Sequence, residues 1–162
     1  MTSSPGIHIR PMTAADIPAV IEIEKGSFET PWTPNAFRLE MKNRLAVYRV
    51  AEVDGQVAAY GGMWLILDEA HVTNVAVHPD HRGRRLGLQI MEVLMEEARE
   101  RRLLRMTLEV RTKNEPAIAL YRKLGFLMAG IRPGYYQDTG EDALIMWAEL
   151  APQDKPVGTE EQ

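Results

Sequence analysis

Strand-like and helix-like segments alternate along this sequence, which predicts a mixed α/β domain: one sheet with helices able to cover both faces. Three observations carry that expectation. Two β-rich runs, LAVYRVAEV and QVAAYGGMWLIL, flank Asp54-Gly55, a strong hairpin signal. RGRRLGLQIMEVLMEEARERR has the apolar spacing of a long amphipathic helix. The C-terminal half then runs strand, helix and strand through LLRMTLEVRT, NEPAIALYRKLG and FLMAGIR.

In chain order, IHIRPM reads as a first strand. TAADIPAVIEIEKGSF is a helix capped by Thr13, with Asp16 as capping-box partner and Ile17, Val20, Ile21 and Glu24 on one face. The Pro-rich ETPWTP is a loop, and Thr33 opens a short helix, PNAFRLEMKN. The hairpin follows, with Gly61-Gly62 marking a bulge or twist in its second strand. AHVTNVAVHPD is another strand. The long helix presents Leu86, Ile90, Val93, Leu94 and Ala98 on its apolar face and Glu92, Glu96, Arg99 and Glu100 on the other. In the next strand, alternation sets Met106, Leu108 and Val110 against Thr107, Glu109 and Arg111. Asn114 caps a helix whose inward stripe is Ala117, Leu120, Tyr121 and Leu124, and Gly125 ends it. GYYQDTGED reads as a loop and ALIMWAEL as the last strand. Residues 1–150 are expected to form one domain, and the polar APQDKPVGTEEQ, 151–162, a flexible tail.

Composition narrows the function. The 162 residues include no Cys, which removes disulfides and Cys-ligated zinc. No apolar signal core or membrane-length run is visible, so a cytoplasmic protein with no membrane partner is expected. A net charge of −4 argues against nucleic acid as a partner. His71, His78 and His81 lack a carboxylate-bearing motif such as H-E-x-x-H, so no metal is expected.

Against that acidic background, positive charge gathers in HPDHRGRRLG, between a strand and a helix start. Helix N-termini favour anions, and Gly83 and Gly87 permit close backbone approach. The segment is neither a Walker A loop nor a dinucleotide fingerprint. It reads either as a site for another phosphate-bearing ligand or as a solvated basic helix start. Glu109 is open to two readings, a catalytic acid or half of a surface pair with Arg111 or Lys113. Tyr121 is open to another two, an active hydroxyl or a core ring.

The segments NVAVHPDHRGRRLGLQIM and LEVRTKNEPAIALYRKLGF together resemble the GNAT superfamily of acyl-CoA-dependent N-acetyltransferases. FETPWTPNAF and GYYQDTGEDALIMW extend the resemblance to the RimI type, the N-terminal alanine acetyltransferases of bacterial ribosomal protein. The resemblance covers about residues 7–150. It implies a mostly antiparallel twisted sheet of about seven strands, with a splayed parallel pair. One departure stands out: Arg85 occupies the place of the first Gly in the family pattern R/Q-x-x-G-x-G/A. Helical angles at Arg85 are expected, since positive φ would strain it.

The resemblance also implies roles. Acetyl-CoA is the co-substrate. The backbone of Val75, Ala76 and Val77 would meet its pantetheine and acetyl carbonyl, and the amides of Gly83, Arg84, Arg85, Leu86, Gly87 and Leu88 would surround the pyrophosphate beside Arg82. Asn114 would bond the cofactor arm. Glu109 would be the general base and Tyr121 the general acid. Phe28, Trp32, Tyr135 and Tyr136 would wall a slot for a protein or peptide N-terminus, such as a ribosomal protein's, on a monomer or weak homodimer. The alternatives are acetylation of a lysine side chain or small amine and, in another class, a non-catalytic acyl-CoA sensor.

Overall fold

A computed structural model describes residues 6–28 and 31–150; the proposed tail lies outside them. Seven strands form one sheet: β1 (Ile7–Pro11), β2 (Ala46–Val53), β3 (Gln56–Ile66), β4 (Glu69–Val77), β5 (Arg105–Arg111), β6 (Leu127–Tyr136) and β7 (Glu141–Glu149). Their spatial order is β1-β2-β3-β4-β5-β7-β6. Every neighbouring pair is antiparallel except β4 and β5. That parallel pair holds only over Glu69–Arg105, Ala70–Met106 and His71–Thr107. Beyond His71 and Thr107 the strands part, and the rest of each lines an open wedge. This is the splayed, mostly antiparallel sheet that the sequence implied.

Among the described residues, four α-helices pack on the sheet: α1 (Ile17–Ser27), α2 (Pro34–Glu40), α3 (Leu86–Glu100) and α4 (Glu115–Lys123). A turn of 3-10 helix, Ala14–Asp16, leads into α1, and the Thr13–Asp16 capping box forms as the spacing predicts. Asp54 (φ 52°) and Gly55 (φ 84°) both adopt left-handed angles, as a two-residue hairpin turn requires.

The sheet separates two cores. On one face α3 buries Leu86, Ile90, Met91, Leu94 and Ala98 against Ala59, Met63, Met106 and Leu108. On the other, Ile17, Val20, Ile21 and Ile23 of α1 and Phe37 of α2 pack on Tyr48, Val50 and Tyr60. Gly61 and Gly62 sit between them. A Cβ on Gly61 would overlap Ile90, and one on Gly62 would overlap the Tyr48 ring, so each face needs its glycine for close packing. The bulge expected at this pair falls between Gly62 and Met63, where β3 shifts register on β4.

One boundary differs from the sequence reading. GYYQDTGED is not a single loop: Gly134, Tyr135 and Tyr136 belong to β6, and β7 starts at Glu141. The turn shrinks to residues 137–140 because Tyr136 pairs with Glu141 across the hairpin. Pro133 and Gly134 fit within β6 because it is an edge strand, where a missing amide is tolerated, and a register shift between Arg132 and Tyr136 absorbs them.

Candidate active site

The wedge between β4 and β5 is where the sequence-derived residues gather. Val75, Ala76 and Val77 lie on β4 past its last pairing with β5, so their β5-facing backbone has no strand partner. Glu109 lies two residues past the corresponding point on β5 and pairs only with Ile145 of β7. Strand divergence thus supplies unpaired backbone on one side and a half-buried carboxylate on the other.

The basic loop leads from β4 to α3. Gln89 N–H to the Arg85 carbonyl, 3.1 Å, is the first bond of that helix, so the amides of Leu86, Gly87 and Leu88 have no helical partner. Gly87 faces the wedge: a Cβ there would come to 3.8 Å from both Val77 and Leu120. Gly83 has open space around it at φ 88°. Arg84 and Arg85 are exposed. The Arg82 guanidinium instead reaches the end of α1, donating to the Gly26 carbonyl and the Ser27 hydroxyl, both at 3.4 Å.

Arg85 overturns one expectation. It is the N-cap of α3 with φ 60° and ψ 29°, left-handed rather than helical. The chain must reverse between the extended Arg82 and the first helical residue, Leu86, and the cap position takes that reversal. The glycine of the family pattern therefore has a backbone reason, and this chain bears the cost of a side chain there, about 1–2 kcal/mol.

Asn114 caps α4, accepting from Ala117 N–H at 3.3 Å through its side-chain oxygen. Its side chain is exposed, so the amide nitrogen remains available to a ligand. Tyr121 is half-buried, with its ring 5.8 Å from Phe126. Its hydroxyl makes no hydrogen bond among the described residues, and burial pushes it up to about 12. Packing and an uncommitted hydroxyl therefore coexist, and neither reading of Tyr121 displaces the other.

Glu109 does not pair with Arg111 or Lys113. Its neighbour is Arg132 of β6, 3.8 Å away. Arg111 turns to the β6–β7 hairpin, bonding Asp138 at 3.0 Å, Thr139 at 3.0 Å and Glu141 at 3.3 Å. Its guanidinium also lies 4.1 Å from the centre of the Tyr136 ring. Tyr136 is raised to about 12, chiefly by burial; Arg111 opposes the rise, while Tyr135, Glu109 and Tyr121 add to it. Glu109, Tyr121 and Tyr136 therefore share one electrostatic neighbourhood. Tyr135 is exposed and packs edge-on against Tyr136 at 5.0 Å.

Phe28 and Trp32 pack onto the α1–α2 core, with Trp32 5.1 Å from Phe37. The sequence undervalued what holds them. The Glu24 carboxyl is 1% exposed. It accepts from Trp32 N–H at 2.8 Å, from Asn74 of β4 at 3.3 Å and from the Tyr60 hydroxyl. Burial pushes it up to about 7, against the pull of the Trp32 amide. Arg132 gave no signal at all in the sequence, because its reach to Glu109 crosses β7 and depends on the β6–β7 register.

Of the histidines, His71 lies beside Glu69 and His78 accepts from Asp80 N–H. Among the described residues no group of three or more His, Asp or Glu is arranged to hold a metal. No helix among them is long and apolar enough to cross a membrane.

A seven-stranded sheet that opens between β4 and β5, with free helix-start amides below and an acid and a tyrosine above, defines an acetyltransferase architecture. The sequence profile of the acetyltransferase (GNAT) family matches residues 17–126, and the chain belongs to that family. It is an acyl-CoA-dependent N-acetyltransferase. More particularly, it is 45% identical over 143 residues to a Bacillus subtilis protein named as a candidate ribosomal protein bS18-alanine N-acetyltransferase, covering 88% of this chain and 95% of that one. The Escherichia coli K12 bS18-alanine N-acetyltransferase is 37% identical, over 85% of this chain and 94% of its own. A crystal structure of the Escherichia coli ribosomal-protein-S18-alanine enzyme superposes with a TM-score of 0.83 at 34% identity, covering 93% of this chain and 99% of that one.

Proposed function

We propose that this protein transfers the acetyl group of acetyl-CoA to the α-amine of a protein N-terminus, with a ribosomal protein of the bS18 kind as substrate. The observation that carries the reading is the wedge itself. Its β4 side offers unpaired backbone and its β5 side offers Glu109; we take Trp32 and the Tyr135–Tyr136 pair as the two aromatic walls of the peptide slot. The likeness to the bS18-alanine enzymes supports the choice of substrate.

The residues fit acetyl-CoA. The amides of Leu86, Gly87 and Leu88, with Arg84 and Arg85 nearby, suit its phosphates. The absence of a Cβ at Gly87, between Val77 and Leu120, lets a ligand approach the helix start closely. When bound, acetyl-CoA supplies an activated thioester. An α-amine, with pKa near 7.7–8.0, must lose a proton to attack it. Glu109 takes that proton, directly or through water, and Arg132 at 3.8 Å is the neighbouring charge that an incoming ammonium must share. Backbone N–H groups of Val75–Val77 stabilise the oxyanion. Tyr121, whose hydroxyl has no partner among the described residues, would face the departing sulfur. A hydroxyl near 12 is some 3.5 units above an ordinary thiol, so full proton transfer would be uphill by about 5 kcal/mol. Tyr121 therefore works as a hydrogen-bond donor that steadies the thiolate, which takes its proton from solvent.

Peptides beginning Ala, Ser, Met or Gly, incubated with acetyl-CoA and followed by free-thiol release, test the reading. Matched peptides with a blocked α-amine and an internal Lys are the control. Turnover confined to free α-amines is expected. Acetylation of only the blocked set would transfer the assignment to lysine.

A further inference from the structure

Glu24 lies outside the chemistry just described, yet it is the most buried carboxyl among the described residues. It occupies the last turns of α1, where three donors from three separate elements converge on it. Trp32 N–H comes from the segment entering α2, the Tyr60 hydroxyl from β3 and the Asn74 amide from β4. Asn74 also donates to the Tyr60 oxygen at 3.1 Å, so the group closes on itself. No ion pair reaches the carboxyl among the described residues; the other titratable groups near it are Tyr48, and Glu40 bonded to Tyr48. A buried carboxyl without a cation costs stability rather than supplying it, so packing alone does not account for it.

Its connections give it a place in the site. Asn74 immediately precedes Val75, where β4 has left β5, and the register of β4 on β3 shifts between Val72 and Asn74. Trp32 carries the flank of the amine slot on the α1–α2 side. One carboxyl thus joins that flank to the strand whose backbone faces the acetyl group. We propose that Glu24 is a positioning residue, fixing the Trp32 wall of the peptide slot to β4 at the bulge so that wall and cofactor strand keep one spacing. The proposal rests on the peptide-slot reading given above. Glu24 touches neither substrate nor cofactor, and its effect passes through Trp32 and Asn74.

The test uses Glu24→Ala, Asn74→Ala and the milder Tyr60→Phe in the full chain. Each is expected to raise the peptide KM, about tenfold for the first two, since a displacement of about 1 Å at a binding wall is enough. Each should leave the acetyl-CoA Kd, titrated without peptide, within about twofold. A parallel loss of acetyl-CoA affinity, or an unchanged peptide KM, overturns the proposal. Hydrogen exchange of the Trp32 amide supplies a readout that needs no turnover. Asn74→Ala does not touch that amide, yet should speed its exchange at least about tenfold, because Glu24 loses its strand anchor. Unchanged exchange overturns the coupling even if Glu24→Ala fails to fold. If wild type releases thiol with no peptide, the function reading fails while the exchange result still decides the tie.

Discussion

The two walls proposed for the peptide slot are built on opposite electrostatic plans. On the β4 side, Trp32 is held through one buried carboxyl, Glu24, with neutral donors around it. On the β5 side, Tyr136 is held by a guanidinium, Arg111, which lies over the ring and pairs with Asp138 and Glu141 near the surface. The first arrangement is desolvated and little affected by salt; the second is exposed to screening. The contrast is between a wall fixed by the core and a wall adjusted by surface charge, with Glu109 as the acid proposed to act between them.

The largest effect should come from the group between them. Glu109→Gln leaves both walls in place and removes only the proton acceptor. A fall in kcat of about 10²–10⁴ is expected, with acetyl-CoA binding unchanged. Equal kcat for both proteins across the pH range would move the base elsewhere, and Arg132 would then have no carboxylate with catalytic work to shield.

Proton linkage should divide the two walls next. Glu24 rises from 4.5 to about 7 in the fold. Its contribution is therefore fully present below about pH 4.5 and is lost as pH rises through 7, by up to about 3 kcal/mol. Asp138 is lowered by its hydrogen bond to Arg111, so its contribution has the opposite sign: present above 3.8 and lost as pH falls below that. Urea unfolding of wild type and Glu24→Gln between pH 4.5 and 7.5 should show curves that converge on the acid side only in part and separate in Glu24→Gln's favour as pH rises. Parallel curves would mean that Glu24 is no more buried in solution than an ordinary surface acid.

Tyr121→Phe should cost less than the loss of the base. Removing one hydrogen bond to the leaving thiolate is expected to lower kcat about tenfold, with little change in stability, because the ring against Phe126 is retained. A hydroxyl near 12 also predicts no Tyr121 inflection in the pH–rate profile below about pH 11. An inflection near 8–9 that vanishes in the Phe variant would show it transferring its proton outright.

How much of this was legible in the sequence follows from the range of each interaction. The order of strands and helices, the Thr13–Asp16 box, the Asp54-Gly55 turn and the Asn114 cap all rest on neighbours a few residues apart, and periodicity reports such neighbours directly. Strand and helix phases set the faces of Glu109 and Tyr121, but only the family resemblance assigned them roles. The ties of the two walls were not legible. Glu24 to Asn74 spans 50 residues and Arg111 to Asp138 spans 27, and both depend on sheet register. The extent of β6 was missed for a similar reason. GYYQDTGED read locally as a loop, while pairing with β7 and the Arg111–Tyr136 contact hold the strand through Tyr136.

The smallest effect concerns the third corner of the site, and there too a charge is set against a structural preference. Arg85 holds φ 60° where glycine would do so without cost. Arg85→Gly relieves about 1–2 kcal/mol of left-handed strain and returns part of it as unfolded-state entropy, for a net gain of about 0.5 kcal/mol in urea unfolding. The same change removes a cation from the helix start proposed to bind the cofactor phosphates. Acetyl-CoA affinity should therefore fall a few-fold at low salt, and the difference should shrink as salt rises. Arg85→Asn separates the two terms, since Asn tolerates left-handed angles and carries no charge. If Asn matches Gly in affinity and both fall below Arg and Lys, the strain is retained for charge at the phosphates. If all four bind acetyl-CoA alike, the guanidinium is a solvated bystander, and the cofactor end of the site relies on backbone amides alone.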